Sequence, residues 1–297
     1  MVVICIVSYD ASKINGLIQL LDDPDENIFS QIRDEFEIIG IEAIPVLEEY
    51  WENSSDSLAV KRAENLIHSI NSKEVKNQLK TWIDLGGKNL LKGSILVAKC
   101  QFHNLNEDKI TSTINQIKQD IWIELNDNLT ALEKIAIVNK VMFNIHGFEG
   151  NREDYYAPKN SFINKTLDSK SGTPLSIGLV YAVICQGLDI PVYGVNLPHH
   201  FVLAYQDDTI IPITDETLAH PGILFYINPF NHGSVFGKPE VNDFLLQNNI
   251  EPDNKYFVPC TNQQIIQRMI NNLVVAYEKV EKPEKMELFK ELLQLFK

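Results

Sequence analysis

The chain has 297 residues, enough for two domains or for one domain with a helical extension, and its 44% hydrophobic and 22% charged content is that of an ordinary globular protein. Forty acidic against 26 basic residues leave a formal net charge of -14, spread along the chain, which repels polyanions. Nucleic acid and anionic membranes are therefore excluded as expected partners.

The four cysteines, Cys5, Cys100, Cys185 and Cys260, are widely spaced and form no CxxC motif, so they read as small core residues of a cytoplasmic protein. The opening MVVICIVSYDASK has no basic residue ahead of its apolar run and no small-residue cleavage site, so no signal peptide is expected. No apolar run approaches the roughly 20 residues that cross a bilayer.

From residue 13 to about 120 the pattern is helical. Ile14, Leu17, Ile18 and Leu21 share one face, Asp22-Asp23-Pro24-Asp25 breaks the chain, and Ile28, Ile32, Phe36 and Ile39 form the next stripe up to Gly40. Ile44, Leu47 and Trp51 mark a third helix, with Pro45 in its first turn. Residues 17–51 thus resemble a HEAT-type repeat, and weaker stripes follow at Ala63, Ile67 and Ile70, at Leu91, Ile95 and Phe102, and at Ile110, Ile114, Ile117 and Ile121. An irregular helical bundle fits the same pattern. His68 and His103 read as isolated surface side chains.

Thr130 and Glu133 form a T-x-x-E capping box ahead of the stripe Leu132, Ile135, Val138 and Met142, and Gly147 supplies the stop. The long irregular stretch that follows, GNREDYYAPKNSFINKTLDSKSGTP, reads as a loop that lines a site or merely crosses the surface. Gly172-Thr173-Pro174 is then a helix start: Thr173 caps, Pro174 takes the first helical position, and Leu175, Leu179 and Val183 with Ala182 or Ile184 give a buried stripe. Ser176 falls in the first turn and Gly187 ends the helix. VYGVNL and FVLAYQ read as neighbouring strands, the second opened by Pro198-His199-His200, and Asn228 closes a strand-like run in FYINPFNHG. A helix N-terminus beside a histidine-bearing strand can bring a nucleophile and a base together, with a third group fixing the ring.

These residues carry a family resemblance. From about Trp122 to Leu246 the chain resembles the SirB-type bacterial branch of the transglutaminase-like superfamily, a papain-type α+β fold. Three blocks carry the match in order: GFEGNREDYYAPKNSFINKTLD, SGTPLSIGLVYAVICQGLDIPVYGVNLPHHFVLAY and LFYINPFNHG. Residues 268–296 resemble a closing tetratricopeptide-like helix pair. Active relatives use Cys, His and Asp, with the Cys in a Gly-x-Cys turn. Here Gly172-Thr173-Pro174 puts Pro174 at that position, His200 matches the histidine, and Asn228 stands where the acid is expected. Asn can still orient an imidazole, but proline has no nucleophilic atom.

Ser176 and Asp215 are the substitutes weighed for nucleophile and orienting acid. Cys185 lies three helical turns on, roughly 16 Å along the axis, too far to serve. His199, His200, His220 and His232 with Asp215 match no compact ligand spacing, so neither a metal nor any other cofactor is expected. The expected organisation is a HEAT-like region over 1–121, a transglutaminase-like core over 122–252 and a tetratricopeptide-like tail over 253–297. Two functions follow from the resemblance. One is a non-catalytic pseudoenzyme that binds a protein or peptide partner; the other is an amide or isopeptide hydrolase or acyl transferase using His200 with Ser176 or water.

Overall fold

The structure, a computed structural model, describes residues 11–154, 156–207 and 222–297. These fall into two compact units, one within Met1–Lys80 and Lys99–Asn104 and the other within Thr81–Ala98 and Leu105–Lys297. The fold is α+β, with helices ahead of the sheet and helices after it, as the sequence led us to expect.

The first unit holds α1 (Ala11–Ile18), α2 (Glu26–Ile39), α3 (Ile44–Asn53) and α4 (Ser57–Asp84) as far as Lys80. Its core is built from the stripes read in the sequence: Ile14, Ile18 and Leu21, then Ile32, Phe36 and Ile39, then Leu47, then Ala63, Ile67 and Ile70. Two expected members, Ile28 and Trp51, are exposed instead. Their neighbours Phe29 and Tyr50 pack on the core, because a step of one residue rotates a helical side chain by about 100°.

The acidic turn after α1 has a partner no periodicity reveals. Arg62 of α4, only 4% exposed, donates from Nη1 to the carbonyl oxygens of Leu21 (3.0 Å) and Asp23 and from Nη2 to Glu26 Oε1 (2.7 Å). Its guanidinium also covers the Phe29 ring at 4.2 Å. Nor are His68 and His103 isolated: their rings meet edge to face at 5.5 Å, and His103 Nε2 lies 4.0 Å from Glu48 Oε1.

The second unit includes α5 (Leu90–Lys99) up to Ala98, α6 (Glu107–Trp122) and α7 (Ala131–Asn139). The Thr130–Glu133 capping box opens α7, whose last turn widens into a π-turn over Lys140–Ile145 before Gly147 stops it at φ +70°. Ile135, Val138 and Met142 are buried, whereas Leu132, in the first turn, is exposed.

The stretch read as one irregular loop has structure of its own. It contains β1 (Glu149–Gly150), α8 (Ile163–Ser169) and β2 (Ser171–Gly172), with β1 and β2 paired in parallel. Inside it, the buried Asn160 accepts from Asn151 Nδ2 at 3.2 Å and donates to the Asp154 carbonyl at 2.5 Å. Those bonds supply the local order that apolar periodicity does not announce.

α9 (Pro174–Gln186) runs through the middle of this unit, every residue from Pro174 to Cys185 buried. A helix apolar on all sides belongs in a core, and α9 packs on α6, α8, the sheet and the C-terminal helix Asn262–Lys279. The sheet is antiparallel, ordered β3 (Val192–Leu197), β4 (His200–Gln206), β5 (Ile223–Asn228), β6 (Ser234–Phe236). α10 (Lys238–Gln247) follows it, and then α11 (Asn262–Lys279) and α12 (Pro283–Leu293) pack on each other, with Tyr277 stacked on Phe289 at 5.5 Å. Cys100 and Cys185 are buried free thiols and Cys260 is a half-buried one, while Cys5 lies outside the described residues. No helix among the described residues is long and apolar enough to cross a membrane.

Phe201 locks the sheet to α9. A Cβ added at Gly178 of α9 would lie 2.7 Å from Phe201 Cδ1, and one at Gly194 of β3 would lie 2.6 Å from its Cζ. The ring fills a slot that only glycine leaves open on both walls. Gly178→Ala should therefore destabilise the chain by about 1–3 kcal/mol through overpacking. Phe201→Ala should cost about 3–5 kcal/mol through the cavity it leaves. Urea unfolding with unchanged m-value checks both; a Gly178→Ala midpoint equal to that of the parent would refute the tight slot.

Candidate functional site

The start of α9 is held on both sides. Pairing of Glu149 with Ser171 and of Gly150 with Gly172 fixes the approach. Extended Thr173 then caps: its Oγ1 accepts from Ser176 N at 3.2 Å, and Ser176 Oγ accepts from Thr173 N at 2.9 Å. Pro174 sits at the first helical position, where its missing N–H leaves no intrahelical bond unmade. Ser176 is 5% exposed and, among the described residues, its hydroxyl bonds with Thr173, completing a capping box, and not with His200.

His200 opens β4. Leu197 pairs with His200, leaving Pro198-His199 as a two-residue hairpin loop in which His199 has φ +59°. Proline followed by a positive φ is the signature of a type II turn. His199, read as opening the strand with His200, lies instead in the turn, exposed, and both histidines line the same two recesses.

Asn228 ends β5, as read. Its Oδ1 accepts from Phe230 N at 3.1 Å, capping the short 3-10 turn Pro229–Asn231, and Asn228 lines the same recess as His200. The turn is anchored from α7: Asn139 Nδ2 donates to the Gly233 carbonyl at 2.8 Å, while Tyr181 Oη donates to Asn139 Oδ1 at 2.9 Å. The buried Tyr181 phenol is pushed well above its ordinary pKa by desolvation, which keeps that donor protonated.

Two recesses flank the hairpin tip. One, of about 220 Å³, is lined by Tyr156, Thr173, Pro174 and Leu175, by His199, His200 and Phe201, and by Arg268 and Asn272 of α11. The other, of about 440 Å³, lies between the sheet and α10, where the His200 ring meets Phe244 at 5.8 Å and Glu240 lines the wall. Tyr156 comes from the long connecting stretch, which therefore does line the site. Arg268 Nη1 donates to Asn196 Oδ1 at 3.2 Å and its guanidinium lies 5.8 Å from the Phe201 ring centre. Sequence reading missed Arg268 and Asn272, because they stand 68 and 72 residues beyond His200. The one local signal is that Arg268 is the first basic residue of α11.

His200 thus lines one recess with Pro174 and the other with Asn228, while Ser176 is turned back onto its own cap. Asp215, His220 and the strand-like run 209–213 lie outside the described residues. His232 sits at φ +49° in the turn after Asn231, its ring 5.5 Å from Phe143. Cys185, fully buried near the far end of α9, has its thiol pushed far up by desolvation, and the half-buried Cys260 thiol is pushed up to about 12. Neither is an activated thiol.

A buried helix opening beside a hairpin histidine, with a strand-end amide in the next recess, is compatible with a papain-type fold. The chain matches the Transglutaminase-like superfamily over residues 108–271, more than half its length, and belongs to that superfamily. It is 25% identical to the UPF0162 protein of Xylella fastidiosa (strain 9a5c) over 194 residues, 63% of this chain and 64% of that one. It is 29% identical to the UPF0162 protein of Vibrio cholerae over 100 residues, 34% of this chain and 32% of the relative. It is also 25% identical to human F-box only protein 21 over 162 residues, 54% of this chain and 24% of the relative. The chain therefore spans less than two thirds of the length of these relatives. No solved structure matches the chain.

Burial presses the His200 imidazole below its ordinary value of 6.5, Asn228 opposes that shift, and the positive charge of Arg268 adds to it. With the folded-state pKa below the unfolded one, the unfolded chain takes up protons first. This residue's contribution to stability then declines as pH falls below about 6.5 toward the folded-state pKa. In an NMR titration, Asn228→Ala should lower the His200 pKa further and Arg268→Gln should raise it. Shifts in the opposite directions would refute this account of the ring's surroundings.

Proposed function

We propose that the chain is a non-catalytic, SirB-type member of its superfamily, a cytoplasmic protein whose papain-type cleft binds a ligand without cleaving it. Helices of HEAT-like character before the core and tetratricopeptide-like character after it hold a protein or peptide partner. Pro174 carries this reading. It lies at the start of α9, in the recess shared with His200, at the position that the resemblance assigns to the cysteine of active relatives. Its ring offers saturated carbons where covalent catalysis needs a sulfur or oxygen lone pair. The commitment of Ser176 Oγ to Thr173 supports the same reading, since the nearest hydroxyl in α9 is already bonded.

One observation favours a second reading. His200 and Asn228 line one recess, where an amide can orient an imidazole, and a water activated by His200 would need no side chain at Pro174 for amide or isopeptide hydrolysis.

Turnover of amide, ester and isopeptide substrates by the purified chain separates the two. We expect none above background in the parent or in His200→Ala. Turnover that falls by about 100-fold or more in His200→Ala, the size of a general-base contribution, would establish the hydrolase instead. A complementary variant, Pro174→Cys, restores the missing atom. Its thiol should alkylate with an apparent pKa below the ordinary value of about 8.5, because it would stand at a helix N-terminus. An unshifted, slowly reacting thiol would count against a preserved framework.

A further inference from the structure

We propose that the recess on the α10 side of the sheet is a binding site for a neutral aromatic ring that carries one hydroxyl group, a phenol, with Phe244 as one wall and His200 and Asn228 receiving the hydroxyl. It goes beyond the cleft beside Pro174 and stands whether or not that cleft turns over a substrate. Successive residues of β4 turn to opposite faces of the sheet, so Phe201 faces Gly178 of α9 while Val202 and Ala204 pack with Val241 and Leu245 of α10. His200 shares the face of Val202, and its ring accordingly meets Phe244 at 5.8 Å.

The walls are apolar and held in place. Leu197, Val202 and Phe236 come from the sheet, Val241 and Phe244 from α10. Phe236 is stacked on Tyr226 at 5.7 Å, and Tyr226 Oη donates to the Phe257 carbonyl at 2.8 Å, so this wall loses little freedom when a ligand enters. Glu240, Phe244 and Asn248 follow one another at one-turn spacing and bring a single face of α10 to the sheet. The volume of about 440 Å³ falls in the range of small-molecule sites and exceeds the roughly 150 Å³ that holds one benzene ring.

The polar groups decide which ring. Burial presses the His200 imidazole below its ordinary pKa, so at neutral pH it presents one N–H donor and one bare acceptor nitrogen. Asn228 Oδ1 is engaged by Phe230 N, so the amide nitrogen is the end this side chain can offer. A hydroxyl both donates and accepts and so matches the pair, whereas a bare hydrocarbon ring would take water from both and give nothing back. An anion meets the Glu240 carboxylate at the mouth. A cation finds that carboxylate exposed and already accepting from Gly237 N at 3.0 Å, where an ion pair is worth little.

The test is NMR of the full chain at pH 7.5, following the His200 ring and the Val241 and Leu175 methyl groups during titration with phenol, benzene, benzoate and benzylammonium. Phenol should shift His200 and Val241 saturably in the millimolar range, the scale for so small a ligand. Leu175, which lines the recess beside Pro174, should not move. Benzene should bind about fivefold more weakly, the net worth of one neutral hydrogen bond, and neither charged ring should bind better than phenol. Phe244→Ala should weaken phenol about tenfold, and His200→Ala, read at Val241, should remove most of the preference for phenol over benzene. If either variant does not fold, the comparison of the four ligands on the parent chain decides the matter. A blocked Ala-Tyr-Ala peptide that binds like phenol would assign the ring to a peptide side chain; binding of phenol without the peptide would assign it to a small molecule. No saturable shift, shifts at Leu175 in place of Val241, benzene binding as tightly as phenol, or either charged ring binding more tightly would each overturn the proposal.

Discussion

Burial of α9 on every side is the constraint on which the second unit depends. A helix with no solvent face can tolerate neither an unsatisfied end nor a loosely seated neighbour, and both ends are accordingly dealt with by side chains and backbone close by. At the start, Thr173 and Ser176 exchange hydrogen bonds and β2 carries the chain in under the restraint of β1. Midway, Gly178 yields its surface to Phe201, and Tyr181 reaches Asn139 and through it the turn that presents Asn228. Pro174, Phe201 and Asn228 are therefore placed by their relation to one helix.

That dependence has a chemical consequence. The same capping box that makes the start of α9 stable in a dry interior occupies the Ser176 hydroxyl, and the proline that suits the first helical position has no group to donate or attack with. Stability of the helix start and nucleophilic chemistry at it compete for the same few atoms, and here stability holds them. The recess around it is lined by Arg268, His200 and the apolar Leu175 and Phe201.

Membership of the transglutaminase-like superfamily agrees with this picture at the level of fold, since the matched residues 108–271 run from α6 into α11 and include the described residues that line the recess beside Pro174 except Asn272. α6, read from sequence as part of the N-terminal helical region, packs on α9 within the second unit. Its apolar stripe of Ile110, Ile114, Ile117 and Ile121 is the same in either role; what it packs against is not written in the stripe.

Much of the framework was legible in the residues alone, and the reason is that it is local. Capping boxes at Thr130 and Thr173, the stops at Gly147 and Gly187, the strand pair before and after Pro198-His199, and Asn228 at a strand end all depend on neighbours within a few positions. The resemblance then aligned Pro174, His200 and Asn228. Tertiary structure alone decided the rest, because it turns on contacts between residues tens of positions apart. Arg62 closing the turn after α1, Asn139 holding the Gly233 turn, and Arg268 brought from α11 to the recess of His200 leave no periodic trace. Nor could the sequence say that Ser176 Oγ turns back to Thr173: a first-turn serine has the same spacing whether it faces its own cap or a histidine, and only the packing of a fully buried helix chooses.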